Sequence, residues 1–200
     1  EMAFCDWSSD VCSSDLANER LTGTRLLRSV AALGGVRRDI TEEQKEWLLG
    51  EIGKIKEDFD ETIRILWQMD SLMDRIEITG ALKKEVVEAL GGVGPIARAS
   101  GVDRDMRREH PYAAYKDLLF RVPVFTDGDV ESRMKVKVRE VCESFRLIHD
   151  ALQTMPAGPL CGAPKPFRPF RSALGYTESP RGECFHWVET GRDGNIVRWK

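Results

Sequence analysis

The chain has 200 residues, 42% of them hydrophobic and 32% charged, with a formal net charge of −3. That apolar content suffices for one substantial core, alone or with a small lobe, and the balanced charge excludes a basic nucleic-acid surface and a disordered acidic tail. No apolar run approaches the roughly 20 residues of a membrane span, so a membrane link is expected only through partners.

Residues 1–16 stand apart. The run Asp6-Trp7-Ser8-Ser9-Asp10-Val11-Cys12-Ser13-Ser14-Asp15-Leu16 shows neither helical nor strand period. It reads like the translation of a DNA sequencing adapter, so it is set aside from fold reasoning as non-native. Residues 1–16 hold four acids and no Lys or Arg, which leaves 30 basic against 29 acidic residues elsewhere. A native reading frame cut just upstream of Ala17 is the expectation.

Leu21, Arg25, Leu26, Val30 and Leu33 predict the end of a helix that Gly34-Gly35 stops. Thr41-Glu42-Glu43-Gln44 has the form of a capping box. Leu48, Ile52, Ile55, Phe59, Ile63, Leu66, then Met69 or Asp70, Met73 and Ile76 predict one long amphipathic helix. Gly50 and Gly53 weaken its first third, to bend it or to admit another backbone. Ala81 to Leu90 predicts a shorter helix closed by Gly91-Gly92. Four glycines and Pro95 between Gly91 and Gly101 exclude a regular helix there and permit close backbone approach. Leu118 to Phe125 predicts a short strand with Pro123 at its edge or end, and Asp127-Gly128-Asp129 a turn that caps the next helix.

Val130, Met134, Val138, Val141, Phe145, Ile148 and Leu152 advance by threes and fours and predict the last long helix. Packed antiparallel, the two long stripes would make a bundle core, each buried Leu, Ile or Phe contributing roughly 1.5–3 kcal/mol. Five prolines between Met155 and Phe170 predict an extended crossing segment. A strand near Ser172–Thr177, a Pro180-Arg181-Gly182 turn, and a hairpin around Asp193-Gly194 follow. The expected fold is therefore α+β, mainly α: a helical core over 17–155, a Pro-rich crossing over 156–171 and a β-hairpin lobe over 172–200. That lobe reaches Lys200 in mid-strand, which reads as a truncated end.

Cys5, Cys12, Cys142, Cys161 and Cys184 include no Cys-x-x-Cys pair, so no metal-ligating residue is assigned and reduced, cytoplasmic thiols are the plain expectation. The sharpest candidate is the Pro-Arg-Gly turn. Pro180 fixes its own φ and Gly182 allows a tight exit, so Arg181 is held at a loop tip. A guanidinium stays protonated and suits a fixed positive charge and hydrogen-bond donor beside a metal or anionic ligand. From the bare residues alone, an ordinary turn arginine paired with Glu178 or Glu183 is the favoured reading.

The run Gly175 to Val188 resembles the loop that places an arginine over the metal site in the large subunit of nickel-iron hydrogenases. That fold is shared with the D-type component of NADH:quinone oxidoreductase, respiratory complex I. The likeness recurs in order. Leu21-Thr22-Gly23-Thr24-Arg25 with Gly34-Gly35-Val36-Arg37-Arg38-Asp39-Ile40 resembles the formate hydrogenlyase-type, membrane-bound branch. So do Val93-Gly94-Pro95-Ile96-Ala97-Arg98-Ala99-Ser100-Gly101, with Asp103-Arg104-Asp105 and His110-Pro111-Tyr112, the helix after Gly128-Asp129, and Pro156-Ala157-Gly158-Pro159-Leu160. The match covers residues 17–200.

The resemblance implies a mainly helical electron-transfer subunit, peripheral on the inner face of the cell membrane, with an iron–sulfur small subunit and membrane-arm subunits as partners. It makes Arg181 and Pro180 the catalytic candidates, above a nickel–iron centre. It places Arg98 near a partner interface or site wall, and His186 beside the site or simply packed in its hairpin. Arg37 and Arg38 are expected to be structural. Nickel–iron centres use two Cys-x-x-Cys pairs, and neither is here, so this stretch alone is expected to be inactive. The Phe185-His186-Trp187 hairpin favours the hydrogenase branch, in which electrons pass between hydrogen and an iron–sulfur chain. The alternative is the complex I component, with NAD and quinone bound at the level of the assembly. A non-catalytic scaffold that has lost its metal is the third reading.

Overall fold

The computed structural model describes residues 13–163, 166–179 and 182–200. The chain divides into two compact units, residues 1–62 with 154–165 and residues 63–153 with 166–200. With 45% helix and 14% strand it is α+β and mainly α, as the sequence leads one to expect. Among the described residues, no helix is long and apolar enough to cross a membrane.

In the first unit, α1 (Ser13–Thr22) reaches back through Ser13-Ser14-Asp15-Leu16, where the sequence shows no helical period. Asp15 sits in its first turn, where the dipole favours a carboxylate. The expected helix to Leu33 does not form. The Thr22 hydroxyl lies 2.8 Å from the Asn18 carbonyl and 2.9 Å from that of Thr24, local bonding that competes with helix continuation. Ala31–Ala32 (β1) instead pairs antiparallel with Gly35–Val36 (β2). Gly34-Gly35 is needed for close approach rather than as a helix stop. A Cβ on Gly35 would lie 2.1 Å from the Leu160 carbonyl oxygen, and one on Gly34 2.6 Å from that of Gly162. Val36 N–H donates to Leu160 O at 2.9 Å and Gly162 N–H to Gly34 O at 3.0 Å, so the Pro-rich segment runs alongside this hairpin.

The capping box forms as expected: Gln44 N–H donates to Thr41 Oγ1 at 3.2 Å, and Thr41 N–H to Gln44 Oε1 at 3.0 Å. It opens α2 (Glu42–Leu66). The predicted stripe has the right phase, with Leu48 buried and Ile52, Ile55, Phe59, Ile63 and Leu66 half-buried. Gly50 and Gly53 face open space and admit no backbone. The helix stops ten residues short of Ile76. Gln68 and Met69 close its end with bonds to Ile65 and Leu66 carbonyls, and α3 (Asp70–Ile76) restarts after an extended Met69. A stripe of threes and fours is blind to a break of one turn.

In the second unit, α4 (Lys84–Ala89) is closed by Gly91 at φ 65°, with Gly92 N–H on Val87 O at 2.8 Å. A helix, α5 (Gly94–Ala99), forms where none was expected. Pro95 falls in its first turn, where a missing N–H costs nothing, and the other glycines lie outside it. The short helix α6 is Met106–Glu109. Residues 118–125 form no strand among the described residues. Arg121 N–H goes to the Glu143 carboxylate at 2.7 Å and Phe125 N–H to Arg98 O at 2.8 Å. As expected, Asp129 caps α7 (Val130–Thr154), accepting Ser132 N–H at 2.8 Å.

The buried line of α7 differs from the predicted stripe. It runs through Ser132, Val136, Leu147 and Leu152, of which only Leu152 was predicted; Val130, Met134, Val138, Val141 and Phe145 are half-buried and Ile148 is 41% exposed. This line passes Glu140, so a cap and an ion pair orient the helix, and apolar periodicity counts neither. A core cluster among the described residues is Val87, Ala97 and Val102 with Leu82, on short elements rather than on the long stripes. The sheet β3 (Ser172–Ser179), β4 (Gly182–Thr190) and β5 (Ile196–Trp199) is antiparallel in the order β3-β4-β5. Ser179 pairs with Gly182 at one end, and Gly194 at φ 72° turns the other, the expected Asp-Gly hairpin.

Candidate functional site

Helix α5 is six residues long, and its Arg98 is 2% exposed. The guanidinium is satisfied from three directions. Nε and Nη2 meet Glu140 Oε1 of α7 at 2.9 and 2.6 Å. Nη1 donates to Glu178 Oε1 of β3 at 2.7 Å and to the Arg104 carbonyl at 3.0 Å, with Asp105 Oδ2 at 3.7 Å. A buried cation costs several kcal/mol unless paired and hydrogen-bonded, and here carboxylates surround it.

Asp105, 1% exposed, caps α6 by accepting Arg107 N–H at 2.9 Å. It also takes the Arg107 guanidinium in a two-point grip, Nε at 2.9 Å and Nη2 at 2.6 Å. That guanidinium lies over the rings of Phe120 and Tyr115, 5.1 and 5.8 Å from their centroids. Burial acts to raise the Asp105 carboxyl, but the Arg107 hydrogen bonds and charge, with Arg98, outweigh it and hold Asp105 below its ordinary value. In return the Asp105 hydrogen bond pushes Arg107 up. Burial pushes the Glu140 carboxyl up, against the pull of Arg98. Asp129 is also held low: burial opposes, and the Ser132 and Ile78 N–H donors prevail.

These directions fix a sign for acid stability. Asp105 and Asp129 bind protons more readily unfolded than folded, so their stabilisation is complete above the ordinary carboxylate pKa and is lost as pH falls through their depressed values. Glu140 acts oppositely, favouring the fold as pH falls through its raised value. Urea midpoints are therefore expected to hold or rise slightly between neutrality and about pH 5, then drop below about pH 4. Asp129→Asn should flatten the acid limb, and an unchanged limb would remove Asp129 from this account.

Gly94 ties the arginine to the hairpin. A Cβ there would lie 3.5 Å from the Ser179 carbonyl oxygen and 3.8 Å from Glu178 Oε1. The Ser179–Gly182 end of the sheet thus sits against the glycine-rich turn. Pro180 and Arg181 themselves lie outside the described residues. Glu183, one partner the sequence offered Arg181, accepts the Tyr176 hydroxyl at 3.3 Å. Glu178, the other, is bound by Arg98.

His186 is not brought to Arg98. It is exposed on β4, and strand alternation puts it on the face opposite Glu178. Its Nδ1 accepts Trp199 Nε1–H at 3.2 Å, and Cys184 Sγ lies 3.6 Å from Nε2, the packing of a hairpin histidine. In the first unit, Arg38 packs its guanidinium on Gly23, where a Cβ would meet it at 3.2 Å. A groove of about 730 Å³ there is lined by Leu21, Val30, Val36, Arg38, Met155 and Leu160 among others.

Sequence reasoning missed Glu140 and Arg107, and named Asp105 only within a motif, with no role. The Asp-x-Arg spacing of an N-cap was a local signal for the last two. Nothing local marks Glu140, 42 residues from Arg98. The donor set does not fit a nickel–iron centre. The five cysteines form no Cys-x-x-Cys pair, and the described residues hold no group of three or more His, Cys, Asp or Glu able to share a metal ion.

Formate hydrogenlyase subunit 5 of Escherichia coli (strain K12) is 33% identical over 182 residues, covering 91% of this chain and 32% of that protein. The carbon monoxide-induced hydrogenase of Rhodospirillum rubrum is 34% identical, with coverages of 91% and 51%. A D-type NADH-quinone oxidoreductase component of Herpetosiphon aurantiacus is 31% identical, again with 91% and 51%. The chain thus spans about a third to a half of these relatives' length. A chain of the membrane-bound sulfane sulfur reductase, an archaeal respiratory membrane complex, superimposes with a TM-score of 0.84 at 27% identity, covering 93% of this chain and 52% of that one. The family described as respiratory-chain NADH dehydrogenase, 49 Kd subunit, matches residues 15–174, four-fifths of the chain, which therefore belongs to that family.

Proposed function

We propose that these residues are the central part of the large subunit of a membrane-associated, hydrogenase-type oxidoreductase complex that passes electrons between hydrogen and an iron–sulfur chain. The observation that carries this reading is the convergence of the ordered motifs. Leu21-Thr22, Val36, Arg38-Asp39-Ile40, and Pro156 through Leu160 line one groove in the first unit. In the second, Arg98, Asp105 and the helix after Gly128-Asp129 gather around Glu178, near the end of β3 at Ser179. Relatives named as hydrogenases support the branch.

In this reading Arg181 supplies a fixed positive charge and hydrogen-bond donors to an anionic ligand, and Pro180 stiffens its approach. Thiolates for a nickel–iron centre would come from outside these 200 residues. An iron–sulfur small subunit and membrane-arm subunits are the partners, on the cytoplasmic face.

The second reading, the 49 kDa-type component of NADH:quinone oxidoreductase, is favoured by the family match and by relatives of that enzyme. NAD and quinone then belong to the assembly. The parent gene separates the readings. Cys-x-x-Cys pairs on both sides, with hydrogen-dependent dye reduction by the purified complex, support the hydrogenase. A histidine and tyrosine upstream without cysteine pairs, with NADH-dependent quinone reduction, support the complex I component. A parent that shows neither pattern is the scaffold. In the active parent, Arg181→Lys is expected to lower kcat about 10²–10³-fold with KM little changed. Undiminished turnover would remove the role given to Arg181.

A further inference from the structure

Arg98 divides one planar guanidinium between two elements. One edge binds Glu140 of α7, and Nη1 binds Glu178 of β3. Glu178 precedes Ser179, whose register partner is Gly182 and whose carbonyl lies over Gly94. The three side chains are 3%, 19% and 12% exposed, so water screens them little. We propose that Arg98 is a positioning residue: held by Glu140, it grips Glu178 and so sets the Ser179–Gly182 end of the hairpin at a fixed place on α5.

The chemistry selects arginine. A rigid fork spans two carboxylates with separate N–H groups, whereas a lysine ammonium is a single point charge on a flexible stem. Gly94 contributes through its backbone, at φ 76°, since a Cβ there would make only ordinary contact with the Ser179 carbonyl oxygen at 3.5 Å. Asp105, with Arg107 already in its grip, lies at 3.7 Å and acts as a background charge rather than a third handle. The inference rests on reading this hairpin end as part of the working site.

Amide hydrogen exchange on the 200-residue chain tests it without any turnover. Glu178→Gln keeps the shape and removes the charge. It is expected to speed exchange in residues 176–179 and 182–185 by about tenfold or more, with residues 136–147 of α7 changing less than about twofold. Arg98→Lys should loosen the same hairpin amides. Exchange there within about twofold of the unaltered chain, or an equal rise in α7, overturns the proposal in favour of general stability. In the full-length complex, Glu178→Gln should lower kcat about 10²-fold at unchanged KM. A loosened hairpin with full turnover keeps the clamp and rejects the working-site reading. A tight hairpin with lost turnover rejects the clamp and leaves that reading standing.

Discussion

Arg98→Ala is expected to destabilise the second unit by about 3–5 kcal/mol, because it strands buried carboxylates without their cation. Glu140 and Glu178 lose direct partners at 2.6 and 2.7 Å, and the Arg104 carbonyl loses a donor at 3.0 Å. Asp105 would suffer least, since Arg107 holds it independently. The loss comes from the unpaired acids rather than from an intrinsically strong bond, and that distinction has its own test. Converting the group together, Arg98→Met with Glu140→Gln and Glu178→Gln, removes the charges along with their need for one another. It should recover most of the loss, as buried ion pairs replaced by neutral groups often do. Urea unfolding followed by circular dichroism checks both. A loss below about 1 kcal/mol for Arg98→Ala would mean that water reaches these carboxylates.

Gly128→Ala should cost about 2–5 kcal/mol, for a backbone reason: strain at a left-handed position and overpacking against backbone each cost roughly 1–3 kcal/mol. Gly128 has φ 69°, and a Cβ there would lie 2.1 Å from the Leu82 carbonyl oxygen and 3.0 Å from Ser100 Oγ. The turn cannot slide away easily. Its N–H donates to Ala99 O at 2.9 Å, and its carbonyl accepts Leu82 N–H at 3.0 Å and Arg133 Nη2 at 2.8 Å. Gly50→Ala is the matched control. It lies within α2, faces open space, and should gain about 0.5–1 kcal/mol from helix propensity. Thermal melting of both variants reads the contrast, and a Gly128→Ala melt equal to the parent would show that the turn relaxes freely.

Local order was legible wherever one residue acts on its near neighbours. The Thr41–Gln44 box, the Asp129 cap, the Gly91 closure and the Asp193-Gly194 hairpin all follow from bonds spanning a few positions. Errors arose where local and tertiary demands compete. The pattern from Leu21 to Leu33 mimics a helix, but Thr22 and the close approach of Gly35 to Leu160 select a turn and a two-stranded hairpin. The stripe through Met69 hides a one-turn break. Pro95 sits where a helix begins rather than where one fails. Residues 118–125 have strand composition, yet the N–H groups of Arg121 and Phe125 find a side-chain carboxylate and a helix-end carbonyl instead of a ladder.

The amino-acid order by itself determined the family, through motifs that recur in sequence, together with the caps, turns and phase of α2, because these depend on residue type and short spacing. It also determined the lack of paired thiolates within this stretch. Only the tertiary structure decided that Arg98 lies buried between Glu140 and Glu178, partners 42 and 80 residues away, and that α7 turns this polar line inward. An ion pair has no period along the chain. Its members are chosen by which elements meet, and the cost of burying one charge alone then holds them together.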